Sequence, residues 1–146
     1  MFAVDVGHGQ IHPRLRAHPS VVVREGINAR YLEPRDIGEP VDIVTIDVSF
    51  ISLRHVLPPL EALLRSPGDM VALVKPQFEA GREAVPEDGV IRDEAVRERA
   101  TEEVIRFIGE ETSFRLLARL VSPVSGSKGN VEVFLHLVKR ERTTAP

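Results

Sequence analysis

Three short apolar runs, each halted by a charged residue, constrain this chain more than anything else in it: FAVD at 2–5, VDIVTID at 41–47 and MVALVK at 70–75. Runs of this length, rich in valine and isoleucine and bounded by turn residues, read as strands. A fourth valine-rich run covers Ser20–Arg24. Between the strands the spacing changes. Residues 11–18 form a short helix with Pro13 in its first turn, and residues 25–40 are mostly loop, broken by glycines and prolines. Ser52–Arg65 repeats apolar residues at helical spacing (Leu53, Val56, Leu57, Leu60, Leu64), with Pro58 and Pro59 expected to kink or restart the helix.

Residues 76–92 read as a long loop, either a substrate lid or an ordinary surface excursion. Asp93–Ile108 is the clearest helix, with Val96, Ala100, Val104 and Ile108 on one face and Gly109 after its end. Phe114–Val121 and Val131–Val138 are then two successive strands around the turn-rich SPVSGSKGN, residues 122–130. Strand–helix alternation predicts a parallel α/β sheet with right-handed crossovers, and the last pair predicts an antiparallel hairpin.

In an open parallel sheet, ligands bind beyond the carboxyl ends of the strands. Those ends carry Asp5, Asp47 and Lys75, and the reversed last strand brings Glu132 to the same edge. Charged residues also cap strands merely because the chain emerges into water there. Four of them on one rim, drawn from four strands, favour a site. Asp5 precedes Gly7-His8-Gly9, the position at which nucleotide-binding sheets hold ribose hydroxyls with a carboxylate. A lysine between two acids is suited to orient a hydroxyl and to pass on its proton.

Composition removes several classes. There is no cysteine, so disulfides and thiolate metal sites are excluded. No apolar stretch approaches the ~20 residues of a membrane span, and the N-terminus does not read as a signal peptide; a cytoplasmic protein is expected. The net charge of −3 argues against a strongly basic nucleic-acid surface. Tyr31 alone is no stacking platform. His8 and His12 stand four apart, but Pro13 argues against a helix through both, and no metal is expected.

VDVGHGQ, REGINARYL, IDVSFISLRHVLPPL, LVKPQFEAGRE, GVIRD and SPVSGSKGNVEVFLHL together resemble the TlyA family, in order and over nearly the whole chain. Members of that family are S-adenosylmethionine-dependent ribosomal RNA 2′-O-methyltransferases with an FtsJ-like catalytic domain, often labelled hemolysin A. The resemblance implies a Rossmann-like methyltransferase sheet of order 3-2-1-4-5-7-6 in a single domain over residues 1–146. It maps the last three members of a Lys-Asp-Lys-Glu tetrad onto Asp47, Lys75 and Glu132. It places Asp5, Asn28 and Asp47 on the cofactor side, with Asn28 near the adenine. Ribosomal RNA or a ribosomal subunit is the implied partner.

The resemblance also implies that this chain is truncated. An RNA-binding domain, the tetrad's first lysine and the central strand with its Gly-rich cofactor loop would all precede Met1. Three arrangements then stand open for the strands ending at Asp5 and Asp47. They pair directly, a homodimer or upstream segment supplies the missing strand, or the first two strands pack elsewhere. The alternative function is a non-catalytic remnant acting as a binding or scaffold module. A literal hemolysin is the remaining one, disfavoured because no span is present and helix 93–108 mixes acids with arginines.

Overall fold

The computed structural model describes residues 1–139. The chain runs β1 (Phe2–Asp5), α1 (Pro13–Arg16), β2 (Val22–Glu25), a 3₁₀ turn (Ala29–Tyr31), α2 (Pro34–Ile37), β3 (Val41–Ile46) and α3 (Leu53–Leu60). It continues with β4 (Leu64–Val74), α4 (Pro76–Glu79), a 3₁₀ turn (Arg82–Ala84), α5 (Glu94–Glu111), β5 (Phe114–Val121) and β6 (Val133–Lys139). The strands form two sheets. β1 and β2 pair in parallel by themselves, and the other four lie in the order β3-β4-β6-β5. β3 and β4 are parallel, while β6 runs antiparallel between β4 and β5, as the predicted hairpin requires.

The core sits on one face of the four-stranded sheet. Alternate residues of β6, Val133, Leu135 and Leu137, meet Met70, Ala72 and Val74 of β4 there, all at most 5% exposed. α3 covers them with Leu53, Val56, Leu57 and Leu60, and α5 with Ala100, Val104 and Ile108. Each helix starts at a side-chain cap. Ser52 accepts from the Arg54 N–H, and Asp93 accepts from the Ala95 and Val96 N–H groups.

Several boundaries differ from expectation, four of them instructively. α3 passes through Pro58 and Pro59 and stops at Leu60. The chain turns there so that the Leu63 carbonyl can accept from Val41 N–H, which starts β4 at Leu64, six residues before the expected strand. α5 continues past Gly109 to Glu111. The loop expected over 76–92 begins as α4, with Pro76 and Glu79 buried, so its first turn is packed core rather than an exposed excursion.

Neither of the two sheets is closed where they meet. β1 and β3 do not pair, yet Phe2 and Val4 of β1 and Val41 and Val44 of β3 pack against one shared core. Direct pairing and remote packing of the first two strands are therefore both excluded. Along β3 only Ile46 is buried, and Ile43 is 64% exposed. A strand of a parallel sheet is ordinarily covered on both faces and paired on both edges; β3 is covered on one face and paired on one edge among the described residues.

Candidate active site

Lys75 leaves β4 as its last extended residue and caps the start of α4. Its neighbour β3 runs parallel, so the residue after β3, Asp47, emerges at the same rim. The Lys75 ammonium lies 2.6 Å from Asp47 Oδ1 and donates to Ser49 Oγ at 3.0 Å. Lys75 is largely enclosed, its side chain 14% exposed, whereas the Asp47 side chain is 71% exposed. An ion pair with one partner so open contributes little to stability. What the pair does is fix where the ammonium points.

Glu132 enters from the other side. Val74 pairs with Val133 in the antiparallel β4–β6 ladder, so the next register step sets Lys75 opposite Glu132. Glu132 is 7% exposed, and its carboxylate has no hydrogen-bond partner among the described residues. The turn at 122–130 folds onto it: a Cβ on Gly126 would sit 2.5 Å from Glu132 Oε1, which explains why that position has no side chain. Asn130 holds the turn in place. Its side chain, 3% exposed, accepts from Ile91 N–H at 3.0 Å and donates to the Gly89 carbonyl at 2.8 Å. Residues 89–91 of the 76–92 segment are thus stitched to the hairpin turn that carries Glu132.

Asp5 and Asn28 stand apart from that group. Asp5 ends β1, and its Oδ1 accepts from Gly7 N–H at 2.7 Å, leaving Oδ2 without a partner among the described residues. Asn28 is exposed and caps the 3₁₀ turn through Arg30 N–H at 3.0 Å. No hydrogen bond or ion pair joins either of them to Asp47, Lys75 or Glu132 among the described residues. An open carboxylate oxygen beyond a parallel strand fits a ribose diol, which offers two donors.

Two residues hold structural roles that the sequence reading did not assign, Glu79 having entered it only as part of the 76–92 loop. Phe50, three residues past Asp47, is 90% exposed and holds φ at 63°. A bulky residue rarely adopts that conformation, and when it does the surroundings enforce it. Its ring rests on Phe78 of α4, centroids 5.0 Å apart. Nothing in the sequence marks it beyond its place just past a strand-end acid. The other is Glu79, buried at 3%, whose carboxylate accepts from Ser52 Oγ at 2.5 Å and Leu53 N–H at 2.8 Å. Burial pushes the Glu79 carboxyl above its ordinary range, against the pull of those donors.

His8 and His12 have local explanations. His12 accepts from Arg14 N–H as the cap of α1, and the His8 ring packs against Gly26, where a Cβ would come within 2.7 Å of it. Among the described residues no group of three His, Cys, Asp or Glu is placed to hold a metal ion. No helix among them is long and apolar enough to cross a membrane.

Comparison with known proteins bears on this rim. The family model described as FtsJ-like methyltransferase matches residues 1–139. The 16S/23S rRNA (cytidine-2′-O)-methyltransferase TlyA of Mycobacterium tuberculosis is 46% identical over 135 residues, covering 92% of this chain and 50% of that protein. YqxC of Bacillus subtilis is 46% identical over 138 residues, covering 93% of this chain and 48% of that protein. A solved structure of a hemolysin-named protein from Streptococcus thermophilus superposes with a TM-score of 0.90 at 41% identity, covering 96% of this chain and 50% of that one. The chain therefore spans about half the length of the curated relatives it matches.

Proposed function

The chain belongs to the FtsJ-like methyltransferase family, and on that premise we propose that it is the catalytic part of an S-adenosylmethionine-dependent ribose 2′-O-methyltransferase acting on ribosomal RNA, with the cytoplasm as its compartment. The observation that carries the reading is the rim itself: Lys75 ion-paired to Asp47 at 2.6 Å, with Glu132 across the ladder. When bound, S-adenosylmethionine would supply the methyl group as an electrophile. The residues of this chain do the rest. Asp5 would hold its ribose through the open oxygen, and Asn28, at the next turn, would serve the adenine. Lys75 hydrogen-bonds the RNA 2′-oxygen and relays its proton: one ammonium proton passes to Asp47 as the amine takes the hydroxyl's, with Glu132 standing across the ladder. Phe50 offers an exposed aromatic face to a base next to that ribose.

The unpaired edges of β1 and β3 belong to the same proposal. A further parallel strand, from an upstream segment or a second copy, fits between them, because both flanking strands already lean on one core. The turn following such a strand would then face the cofactor beside Asp5.

Replacing Lys75 tests the mechanism. Lys75→Ala is expected to cut methyl transfer by about 100- to 10,000-fold, the usual contribution of a general acid–base group, while cofactor affinity stays near wild type. Lys75→Arg should fail as well, because a guanidinium stays protonated and its planar fork has another shape. Full turnover in Lys75→Ala would leave the lysine as a strand-end charge and refute the mechanism.

A further inference from the structure

Glu79 lies outside the rim and outside every role assigned above, yet its contacts converge on the segment that carries the rim. α4 is one helical turn long, and it touches the 47–54 segment at both ends and in the middle. At its start Lys75 binds Asp47 and Ser49. Phe78 carries the Phe50 ring. At its end Glu79 takes Ser52 Oγ and Leu53 N–H, and the Glu79 carbonyl accepts from Arg54 Nη2 at 3.0 Å. Phe50, with its unfavourable backbone, is caught between the two end contacts.

We infer that Glu79 is a positioning residue for methyl transfer: its buried carboxylate locks the 49–53 segment onto α4 and so holds Ser49 and Phe50 in register with Lys75. The inference rests on the proposed transferase reading. Its physical basis is that a φ of 63° at a phenylalanine is strained and survives only where neighbours over-determine it. On the far side of Phe50 the restraint is the Glu79 carboxylate, with two donors to it from consecutive residues. A carboxylate is also an expensive group to bury, and a shorter amide or hydroxyl would cap α3 at less cost. What the carboxylate adds is two acceptor oxygens that take Ser52 and Leu53 together and fix the direction in which the chain enters α3. Arg54 Nε, 3.8 Å from Oε2, offsets part of the buried charge.

The test uses the complete protein, with S-adenosylmethionine and its RNA, alongside nuclear Overhauser measurements on the same protein. Glu79→Gln should lower kcat by about 10- to 100-fold, as expected when a reacting group drifts by an ångström. The dissociation constant for S-adenosylmethionine should change less than about twofold, since the cofactor leans on Asp5 and Asn28. The Phe50–Phe78 ring contact should weaken in Glu79→Gln and persist in Lys75→Ala. Ser52→Ala removes one of the two donors, is the milder change, and should give a smaller kcat loss of the same kind; it serves if Glu79→Gln fails to fold. Wild-type kcat in both variants, with an intact ring contact, overturns the positioning role. A kcat loss matched by an equal loss of cofactor affinity and of melting temperature also overturns it, leaving Glu79 a plain structural cap. Loss of the ring contact with no transferase activity in the wild type would instead sink the transferase reading and leave the lock standing.

Discussion

The two sheets of this molecule are built by opposite means. In the four-stranded sheet, β6 lies between two neighbours and over two helices, and Leu135 and Leu137 are wholly buried. In the β1–β2 pair every residue of β1 is only half-buried, and no described side chain before Leu32 belongs to the buried core. That pair is held by a ladder of four registered positions and by polar contacts around Glu25. Both carry residues proposed for the same reaction. Lys75, Asp47 and Glu132 stand on the well-packed sheet, and Asp5 and Asn28 on the lightly packed pair. The Lys75–Asp47 pair thus stands on the well-packed sheet, whereas Asp5 and Asn28 rest on a unit with a free edge among the described residues.

The largest expected effects follow from burial. Leu135→Ala should cost about 2–5 kcal/mol, the range for truncating a fully buried leucine. Phe2→Ala, at a half-buried position beside an open edge, should cost on the order of 1 kcal/mol. Chemical denaturation of both variants checks this. Equal losses would break the contrast and show that β1 packs into the core no less firmly than β6. Hydrogen exchange offers the same comparison without mutation, since loosely packed units open with lower free energy than the core.

A second contrast separates the two binding tasks. Phe50→Ala should weaken RNA binding by about 1–3 kcal/mol, the worth of stacking one base, and leave S-adenosylmethionine affinity unchanged. Asp5→Asn should do the reverse, because an amide oxygen is a poorer acceptor for a ribose diol than a carboxylate. Titrations of each variant with RNA and with cofactor decide it. If Phe50→Ala loses cofactor affinity as well, the two sheets do not divide the work as described.

Much of this was legible in the sequence, for a physical reason that also explains what was not. Strands such as Phe114–Val121 and Val41–Ile46 are short-range patterns, and a side-chain period or an apolar run names them directly. The rim was legible because topology alone sends Asp47, Lys75 and Glu132 to one edge. Boundaries that depend on a distant partner were not. β4 begins at Leu64 because Val41 is there to pair with it, and nothing near Leu64 announces that. Residues 76–79 read as loop because Pro76 and the glycines beyond signal a turn, while the burial of Glu79 depends on Ser52 and Leu53, 27 and 26 residues earlier. Phe50 was invisible for a related reason. Its positive φ follows from contacts on both sides of it and from no propensity of its own.

The smallest expected effect concerns acid, and it isolates the β1–β2 pair. Arg16's guanidinium, and then backbone N–H groups of the 9–11 turn, hold the Glu25 carboxyl down at about 2, from an ordinary 4.5. A carboxyl with a depressed folded pKa favours folding above its unfolded value and loses that contribution as pH falls toward the folded one. Glu25 therefore supports the pair fully above about pH 4.5 and progressively less down to about pH 2. Carboxylates elsewhere respond to acid as well, Asp88 in the loop before α5 held down by Arg92 and Glu98 on α5 by Arg119, so a global melting curve would mix them with Glu25. Amide exchange at Val23 and Arg24 compared with Leu135 and Leu137 separates them. As pH falls from the ordinary carboxylate range toward about 2, protection in β2 should fall before protection in β6, and Glu25→Gln should flatten the β2 profile while leaving β6 as it was. If the β2 profile keeps its slope in Glu25→Gln, the pair is held by its contact with the shared core, and the polar cluster around Glu25 is incidental.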